Sequence, residues 1–531
     1  MAKLTEKHAN GLLDEVRGLF EDAVTATSQR VPFLLENTAF YRGFQWGEAS
    51  PIGWIESDMN LDEAREVFNY VRPTVRTAVA DTLRSLPNPE VVAASGDQRA
   101  VARAMASERL IRSWIRSGVI AFEQLLRGET GVALHGGGWY KVLWDPNKGR
   151  RTGGPAFEDT TRSMQEDEGD EDVFAKNAKS RAEGEISVQF VDIASAPCDP
   201  HARNEGEVYY VCHRKLLPER VLNDWFPVDF FQKPTRGRWS RHQPDGKNHS
   251  AELDLLENDG RLHDIPDGGG SRAQTTANQL AELVEYWEKP SNTYPKGRLI
   301  VFSGSTIVAM GPLPYGWPWV MRIGQNVLPN GLFPDGVVRD ILPIQRTINL
   351  NASKKREWMD WCANPWLLVP RGADIDRDMF SDMAGDIIEY NEGKRPEWVT
   401  APDIPPGIFT LEDQAVSVLQ TISTYSDISR GEPPQGYDSG RALAYLYEFQ
   451  KSVHEPDIHI FRRDMARVLQ RCLSLARDFY QEGRMVRMIG ENNRWMLRTF
   501  KNDDYDFEAE LVIEAFSGKP NSRALRYAEQ V

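Results

Sequence analysis

The sequence predicts an α+β protein that is predominantly α-helical. Three observations lead to this class. Residues 335–480 have the pattern of a helix, a small insert with short strands, a second helix, a Pro/Gly loop and one very long helix. Apolar residues at helical spacing also recur between residues 4 and 126. A β-rich stretch begins near Val132. Both element types are therefore expected, and helices dominate.

Four helices are predicted before the first strands, over residues 4–26, 30–41, 61–86 and 97–126. Residues 42–54 are rich in Gly, Trp and Pro and are predicted to form a loop. In the fourth helix we expect the regularly spaced apolar residues to point inward: Val101, Met105, Leu110, Trp114 and Phe122.

The β-rich part begins with residues 132–144, where three glycines, Gly136, Gly137 and Gly138, would permit a bulge or a tight turn. Further regular segments are predicted near residues 185–193, 208–213 and 280–287, then a hairpin of residues 299–302 and 306–310. The acidic residues 158–172 are predicted to be a solvated insertion, and the polar residues 236–278 a long loop.

The first central helix carries one apolar stripe, interrupted at Lys355: Ile341, Ile344, Ile348, Ala352, Met359 and Cys362. Proline is tolerated near a first turn or at a kink, so regular helix is predicted to begin at Pro343. The helix ends before Pro365, because a residue that precedes proline is disfavoured in the α conformation. This leaves roughly 20 residues, or about 30 Å of helix.

Three brief strands are predicted in the insert, over residues 366–369, 386–390 and 397–400. Thr410 and Asp413 have the spacing of a capping box and predict the start of the second helix, which Gly431 would end. Its seam has coiled-coil-like spacing: Leu411, Ala415, Val418, Ile422 and Tyr425.

After a polar loop at residues 429–440, a helix of roughly 40 residues is predicted to reach Gly483, with a kink or break at Pro456. A hairpin of residues 486–489 and 495–499 follows, then a strand over residues 507–513. Asn521 or Ser522 could cap a last helix, and we expect the natural C-terminus to lie beyond Val531.

Two antiparallel helices with a small β-rich cap form a projecting hairpin. A single hairpin on a monomer would expose both apolar stripes. Copies of the same chain, placed side by side, are the simplest way to cover them.

At this point the sequence resembles the portal proteins of tailed bacteriophages. Four segments carry the resemblance: VVRDILPIQRTIN (337–349), PWLLVP (365–370), GDIIEY (385–390) and GEPPQGYDSGRAL (431–443). WYKVLWDP (139–146) and SAPCDP (195–200) extend it upstream. The order of the parts is specific, whereas each short motif alone is weak.

The resemblance implies a portal fold in a cyclic homo-oligomeric ring. The parts would be a wing domain (1–334), a stem helix (335–362), an α/β clip (363–407), a second stem helix (408–428), a channel loop (429–440), and a kinked helix with C-terminal wing and crown (441–531).

The function that the resemblance implies is a dodecameric DNA channel at one capsid vertex of the virion, assembled in the host cytoplasm. It would serve genome packaging, DNA retention, ejection and head-tail joining. The partners would be double-stranded DNA, the terminase large subunit, tail or adaptor proteins, capsid and scaffolding proteins.

The resemblance also indicates candidate site residues. In the channel loop these are Arg430, Glu432, Gln435, Tyr437 and Arg441, although an ordinary helix connection is the alternative. The basic residues of the first stem helix would touch DNA weakly or pair with acids of an adjacent subunit: Lys354, Lys355 and Arg356. In the clip, the residues expected to dock partners are Trp366, Arg371, Asp374, Asp376, Lys394 and Trp398.

Composition narrows the function classes. A net charge of −15 argues against a protein that grips DNA phosphates. The four cysteines lack CxxC spacing, which predicts reduced, partly buried thiols. No apolar run approaches the roughly 20 residues of a membrane helix, and the N-terminus is too polar for a signal peptide.

We expect no enzyme activity, cofactor or metal. The phosphate-loop pattern GxxxxGK[ST] is missing, so the chain is not expected to hydrolyse ATP. His135 with the three glycines resembles an esterase HGGG motif, but no GxSxG follows. Another connector or adaptor ring protein is the first alternative function. A glycoside hydrolase is the second, because the 15 tryptophans could line a sugar cleft.

Overall fold

The computed structural model describes residues 6–50, 53–56, 64–85, 89–93, 95–149, 151–152, 181–218, 221–222, 240–241, 280–304, 306–363, 366–371, 393, 397–399, 407–425, 452–489, 495–506 and 511–513. These residues form both helices and sheets, in agreement with the predicted α+β class.

The helices come in three groups along the chain. They are α1 (Glu6–Ser28), α2 (Val31–Arg42), α3 (Val71–Arg84), α4 (Gln98–Ser117), α5 (Phe122–His135), α6 (Val337–Ala363), α7 (Gly407–Ser423) and α8 (Glu455–Phe479), with 3-10 turns at Glu205–Glu207 and Asn502–Asp504.

The strands lie mainly between α5 and α6. They are β1 (Gly47–Ser50), β2 (Gly53–Glu56), β3 (Pro89–Val91), β4 (Gly137–Asp145), β5 (Arg151–Thr152), β6 (Arg181–Ala182), β7 (Glu185–Asp192), β8 (Tyr210–Pro218), β9 (Ser240–Arg241), β10 (Leu280–Glu288), β11 (Arg298–Ser303), β12 (Thr306–Gly311), β13 (Trp319–Ile323), β14 (Trp366–Leu368), β15 (Glu397–Val399), β16 (Met485–Ile489), β17 (Trp495–Thr499) and β18 (Leu511–Ile513).

Two antiparallel sheets organise the body of the molecule. One has the strand order β12-β11-β10-β8, with β9 also paired to β10, and the other has the order β13-β4-β7. The strands of the predicted 299–310 hairpin are β11 and β12, which pair antiparallel. The remaining pairs are β1-β2, β14-β15, β16-β17, β5-β6 and β18-β3. The last of these brings the C-terminal part of the chain back to residues that follow α3.

The largest apolar core lies where α2 to α8 meet one face of the β13-β4-β7 sheet, and it includes Trp114, Tyr140 and Phe461. A second core between the two sheets is built around Trp139, Trp287 and Trp319. The rings of Trp139 and Trp319 meet edge to face at 6.2 Å. The tryptophans of the sheets thus serve packing.

Several predictions for the N-terminal third are wrong. The predicted 97–126 helix is two helices, because Gly118 adopts a left-handed conformation (φ 80°) that ends α4. Of its predicted inward residues, Leu110 and Trp114 are buried, whereas Val101, Met105 and Phe122 are exposed. The break places Phe122 at the start of a separate helix, α5, whereas Val101 and Met105 are exposed residues of α4 itself.

Other corrections concern strands and the helix start. Residues 42–54 contain the β1-β2 hairpin rather than only a loop. The third helix starts at Val71, and residues 64–70 are not helical. Residues 132–135 belong to α5. Gly136 makes a tight turn (φ 85°) that ends α5, and Gly137 and Gly138 continue β4 in regular register with β13, so no bulge forms there.

Candidate functional site

The candidate site is the hairpin of α6 and α7 with the residues that anchor it to the body. α6 begins at Val337, six residues before Pro343, so the predicted start is wrong. Proline removes one backbone hydrogen bond. The helix continues through it because residues on both sides pack into the main core, including Ile341 and Leu342 before the proline and Ile348 after it. Its end at Ala363 is as predicted.

A polar ladder on α6 holds residues 64–70, which we call the strap. The ladder consists of Gln345, Asn349 and Ser353, each buried and each one helical turn apart. The backbone N–H groups of Tyr70, Phe68 and Glu66 donate to these side chains in turn, at 3.1, 3.2 and 2.9 Å.

The spacing of the ladder explains why it works. Four helical residues rise about 6 Å, close to the roughly 6.6 Å of two extended residues, so each turn of α6 meets every second strap amide. The predicted 61–86 helix includes residues 64–70, so the sequence analysis does not identify the strap. The signal that could have revealed it is the row Gln345, Asn349 and Ser353 at steps of four beside the apolar stripe.

α7 begins at Gly407, three residues before the predicted capping residue. The Thr410 hydroxyl donates to the carbonyl of Gly407 at 2.8 Å, so Thr410 lies inside the helix and does not cap it. The helix ends at Ser423, well before Gly431. α7 packs along α6, and its side chains that face the core are Ala415 and Leu419.

Most of the predicted seam of α7 lies on its outer face. Ala415 is buried, but Leu411, Val418 and Ile422 are 55%, 42% and 42% exposed. These three exposures agree with the expectation that a single hairpin leaves its α7 stripe uncovered. For α6 that expectation is wrong in large part, because Ile341, Ile348 and Ala352 of its predicted stripe are buried within the chain. The outer part of α6 is similar, because Leu350 and Met359 are about half exposed. We define the three half-exposed residues on one face of α7, Leu411, Val418 and Ile422, as the uncovered apolar surface. Leu350 and Met359 are nine residues apart and therefore lie on opposite sides of α6.

Two of the three candidate basic residues of α6 have acidic partners in the same chain. Lys355 forms an ion pair with Glu412 of α7, which ties the two helices together. Arg356 lies 3.4 Å from Asp360, one turn along α6, and both are exposed. The Lys354 side chain is exposed. Contact with DNA or with a neighbouring subunit stays a prediction for these three residues.

The insert between the helices is described in part. Trp366 pairs with Val399, and Leu367 with Trp398, in the antiparallel β14-β15 ribbon. Arg371, Leu368 and Val399 are exposed. Asp374, Asp376, Lys394 and the predicted strand at residues 386–390 lie outside the described residues.

The channel-loop candidates also lie outside the described residues: Arg430, Glu432, Gln435, Tyr437 and Arg441. The described chain stops at Tyr425 and resumes at Ser452, and the rings of Tyr425 and His454 are stacked at 4.2 Å.

The predicted break near Pro456 is present. Residues 452–453 are helical, a turn at His454 interrupts them, and Pro456 lies in the first turn of α8. His454 is buried and His459 is exposed.

A buried ionic cluster anchors α8 to the body. Arg322 of β13 is fully buried and donates to both oxygens of Glu129 on α5, at 3.0 and 2.7 Å, and to Asp457 on α8 at 3.2 Å. Burial raises the pKa of Asp464 on α8 to about 6, although Arg322 and Arg463 oppose this. One oxygen of Asp464 has no hydrogen-bond partner.

A second ionic cluster lies between the two sheets. Lys141 is fully buried, forms an ion pair with Glu285, and lies within 5.0 Å of the rings of Trp287 and Trp319. Burial lowers the pKa of Lys141 to about 8. Burial disfavours the charged form of Glu285, but Lys141 and Lys215 outweigh this and hold its pKa well below the ordinary value.

His135 of the HGGG sequence has a structural role. Its Nδ1 lies 2.8 Å from Asp192 and its Nε2 lies 3.0 Å from the Thr38 hydroxyl. The three side chains are therefore arranged in the order of a hydroxyl-His-Asp catalytic triad. The Thr38 hydroxyl, however, donates to the carbonyl of Leu34, and the Pro334 carbonyl fills the space beside Gly136. A substrate therefore has no room at these glycines.

Other chemistry is limited in the described part of the chain. The four cysteines, all within it, are free thiols, and three of them are buried: Cys198, Cys212 and Cys472. Among these residues no group of three His, Cys, Asp or Glu side chains is placed to hold a metal ion. None of the described helices combines the length and apolar character needed to span a membrane.

The comparison with protein families identifies the class. Residues 253–512 match a family model, and this segment contains α6, the β14-β15 ribbon, α7 and α8. The match confirms the resemblance seen in the sequence and supports a phage portal protein. The particular family is the one described as "Phage P22-like portal protein". No curated protein matches the chain.

Proteins of this family are structural components rather than enzymes. The family implies an oligomeric ring with capsid and other phage partners, located at the capsid vertex of the virion.

Proposed function

We propose that this chain is the subunit of a ring that forms the DNA channel at the unique vertex of a phage capsid. The ring would serve genome packaging, retention of DNA, ejection and the joining of head to tail. With twelve copies of a 60.3 kDa subunit its mass would be about 720 kDa.

The observation that carries this proposal is the uncovered apolar surface of the α6-α7 hairpin. Three apolar side chains spaced along one face of α7 are roughly half exposed, although water contact with such a stripe is unfavourable. An identical neighbouring subunit can cover this surface, and its own copy of the surface can be covered by the next subunit. Such head-to-tail contacts close into a ring when the rotation between copies permits it.

The hairpin is also built to stay rigid while it makes those contacts. Lys355 and Glu412 link α6 to α7, and the ladder of Gln345, Asn349 and Ser353 fixes α6 to the strap. A rigid surface loses little conformational entropy when a neighbour binds. These features support a stem that keeps its shape in the ring.

The parts of the chain take the following proposed roles. Residues 1–334 form the wing, 335–362 and 408–428 the stem, and 363–407 the clip that docks the terminase and later the tail or adaptor proteins. Residues 429–440 form the channel loop that meets double-stranded DNA, and residues 441–531 complete the wing and crown. The wing contacts the capsid and, during assembly, the scaffolding protein.

The direct test is the shape and mass of the purified protein. Negative-stain microscopy should show rings with a central hole, and native mass measurement should give an assembly of about 720 kDa. A solitary 60.3 kDa globule would overturn the proposal.

A deletion tests the channel-loop role separately. Removal of residues 429–440 should leave ring assembly intact and impair packaging or retention of DNA. A matched deletion within the acidic residues 158–172 serves as the control and should leave packaging unchanged. If the loop deletion affects neither step, residues 429–440 are not a channel loop.

A further inference from the structure

The end of α7 and the start of α8 meet at one point, although 26 residues of chain, 426–451, lie between them. Tyr425 follows α7, and His454 precedes α8 as its N-cap residue. Their rings are nearly parallel, with 7° between the planes and 4.2 Å between the centroids. Entry to and exit from the intervening segment are therefore adjacent.

A second observation at this point is backbone strain. Thr424 has a φ of 59°, the one positive value among the described residues other than glycine. A β-branched residue is unfavourable in the left-handed region, so the surrounding contacts must hold it there. The turn it makes directs Tyr425 toward His454.

The contacts around Thr424 account for its conformation. The Tyr425 backbone N–H donates to the Ser423 hydroxyl at 3.3 Å, and the Thr424 hydroxyl donates to the Ser423 carbonyl at 2.6 Å. The same hydroxyl lies 3.4 Å from Nε2 of His454. The end of α7 is thus bonded to its own last turn and stacked on the residue that starts α8.

His454 is itself held firmly. Its side chain is buried, and its carbonyl accepts from the N–H of Ile458 at 3.1 Å in the first turn of α8. Burial lowers the pKa of His454, with Asp81 and Asp457 opposing, which favours the neutral ring that stacks on tyrosine. One turn further, Asp457 bonds to Arg322, so the start of α8 is fixed to the β13-β4-β7 sheet.

We propose that Thr424, Tyr425 and His454 form a clasp that joins the end of α7 to the start of α8 and fixes both ends of the 426–451 segment to the body. The inference rests on the proposed function, because that segment contains the proposed channel loop. A loop that acts on moving DNA can resist force only if its base is fixed. The clasp supplies that base.

Hydrogen exchange of the assembled full-length chain tests the clasp. The variant His454→Ala removes the stack, His454→Phe retains a ring there, and His459→Ala changes an exposed histidine one turn along the same helix. For His454→Ala the amides of Tyr425 and Ile458 should exchange about ten-fold faster. Local opening, which exposes these amides to water, then no longer requires the ring stack to be broken. His454→Phe and His459→Ala should exchange at nearly the wild-type rate.

Packaged heads provide the functional readout. The clasp predicts that His454→Ala rings assemble but that fewer filled heads keep their DNA, and that His454→Phe restores retention. If His454→Ala matches His459→Ala in exchange or in retention, the clasp is wrong. This result is distinct from failure of the proposed function, in which the wild-type chain itself forms no ring.

Discussion

The body and the hairpin of this protein differ in which charged and apolar side chains they bury. In the body, fully buried charges such as Lys141 and Arg322 have ionic partners, and large aromatic residues are covered. In the hairpin, the ion pair of Lys355 and Glu412 lies between the helices, and several apolar side chains face outward. The body covers its own cores, whereas the hairpin leaves several apolar side chains exposed within the chain.

Two helices of similar apolar content show the contrast. α8 buries a continuous stripe that includes Phe461, Val468 and Leu475, all with no exposed surface. α7 buries Ala415 and Leu419 and leaves Val418 outside. Apolar spacing along a helix therefore does not show whether the apolar face is covered by the same chain or stays exposed. The following predictions test this difference, in order of their expected effect on the free energy of unfolding.

The largest effect is expected from Glu285→Gln in the body. The change leaves Lys141 and Lys215 without their shared counter-charge in a buried site. Breaking a buried ion pair from one side costs about 3–5 kcal/mol. Urea denaturation should measure this loss. Glu123→Gln, which breaks an exposed ion pair with Arg127, should cost about 0.5 kcal/mol or less. Equal losses in the two variants would contradict the view that burial is what makes the charges of the body depend on their partners.

Asp464→Asn should stabilise the protein in a pH-dependent manner. The carboxyl has a pKa of about 6 in the fold against 3.8 for the free group. The folded state therefore favours the protonated form, and stability is lost as pH rises from about 4 to about 6. At pH 7 the neutral amide avoids this cost, which is at most about 3 kcal/mol. Thermal unfolding should show a gain at pH 7 that disappears near pH 4.

Thr424→Gly tests the strain at the end of α7. Glycine adopts positive φ without steric cost. This gain is partly offset by the loss of the Thr424 hydroxyl contacts with Ser423 and His454 and by greater freedom of the unfolded chain. We expect a net stabilisation of about 1 kcal/mol or less in urea denaturation. Thr421→Gly, in the last helical turn of α7, should destabilise by roughly 0.3 kcal/mol. A loss in both variants would contradict strain at Thr424.

Val418→Asp should have the smallest effect on folding and a large effect on assembly. A surface substitution changes the free energy of unfolding by about 0.5 kcal/mol or less. The charge should nevertheless prevent a neighbour from covering α7, and native mass measurement should show the single chain. Ser417→Asp, the adjacent exposed position, should leave assembly intact. Val468→Asp should unfold the protein, because that valine has no exposed surface. Normal rings from Val418→Asp would place the interface elsewhere.

Much of the hairpin could be predicted from the sequence. The end of α6 before Pro365 follows from the steric effect of proline on the preceding residue. The β14-β15 pair and the break near Pro456 follow from similarly local rules. The start of α6 could not be predicted, because burial of Ile341 and Leu342 outweighs the hydrogen bond that Pro343 removes.

The candidate site was predictable only in outline. In the described part of the chain α6, the β14-β15 pair and α7 follow one another in the predicted order, and the resemblance to portal proteins agrees with the family match over residues 253–512. The bounds of the clip and of the channel loop stay predictions. The strap and the clasp were not predictable. Each depends on groups that meet across more than 25 residues of sequence, such as the rings of Tyr425 and His454 or the Phe68 backbone N–H and the Asn349 side chain.

The amino-acid sequence by itself determined the helix pair, its strand-bearing insert and its likeness to portal proteins, because local sterics and apolar spacing act over a few residues. Only the tertiary structure decided which face of α7 is buried. Spacing places apolar residues around a helix axis, but Ala415 and Leu419 face the core and Leu411 and Val418 face outward because of what packs against each side.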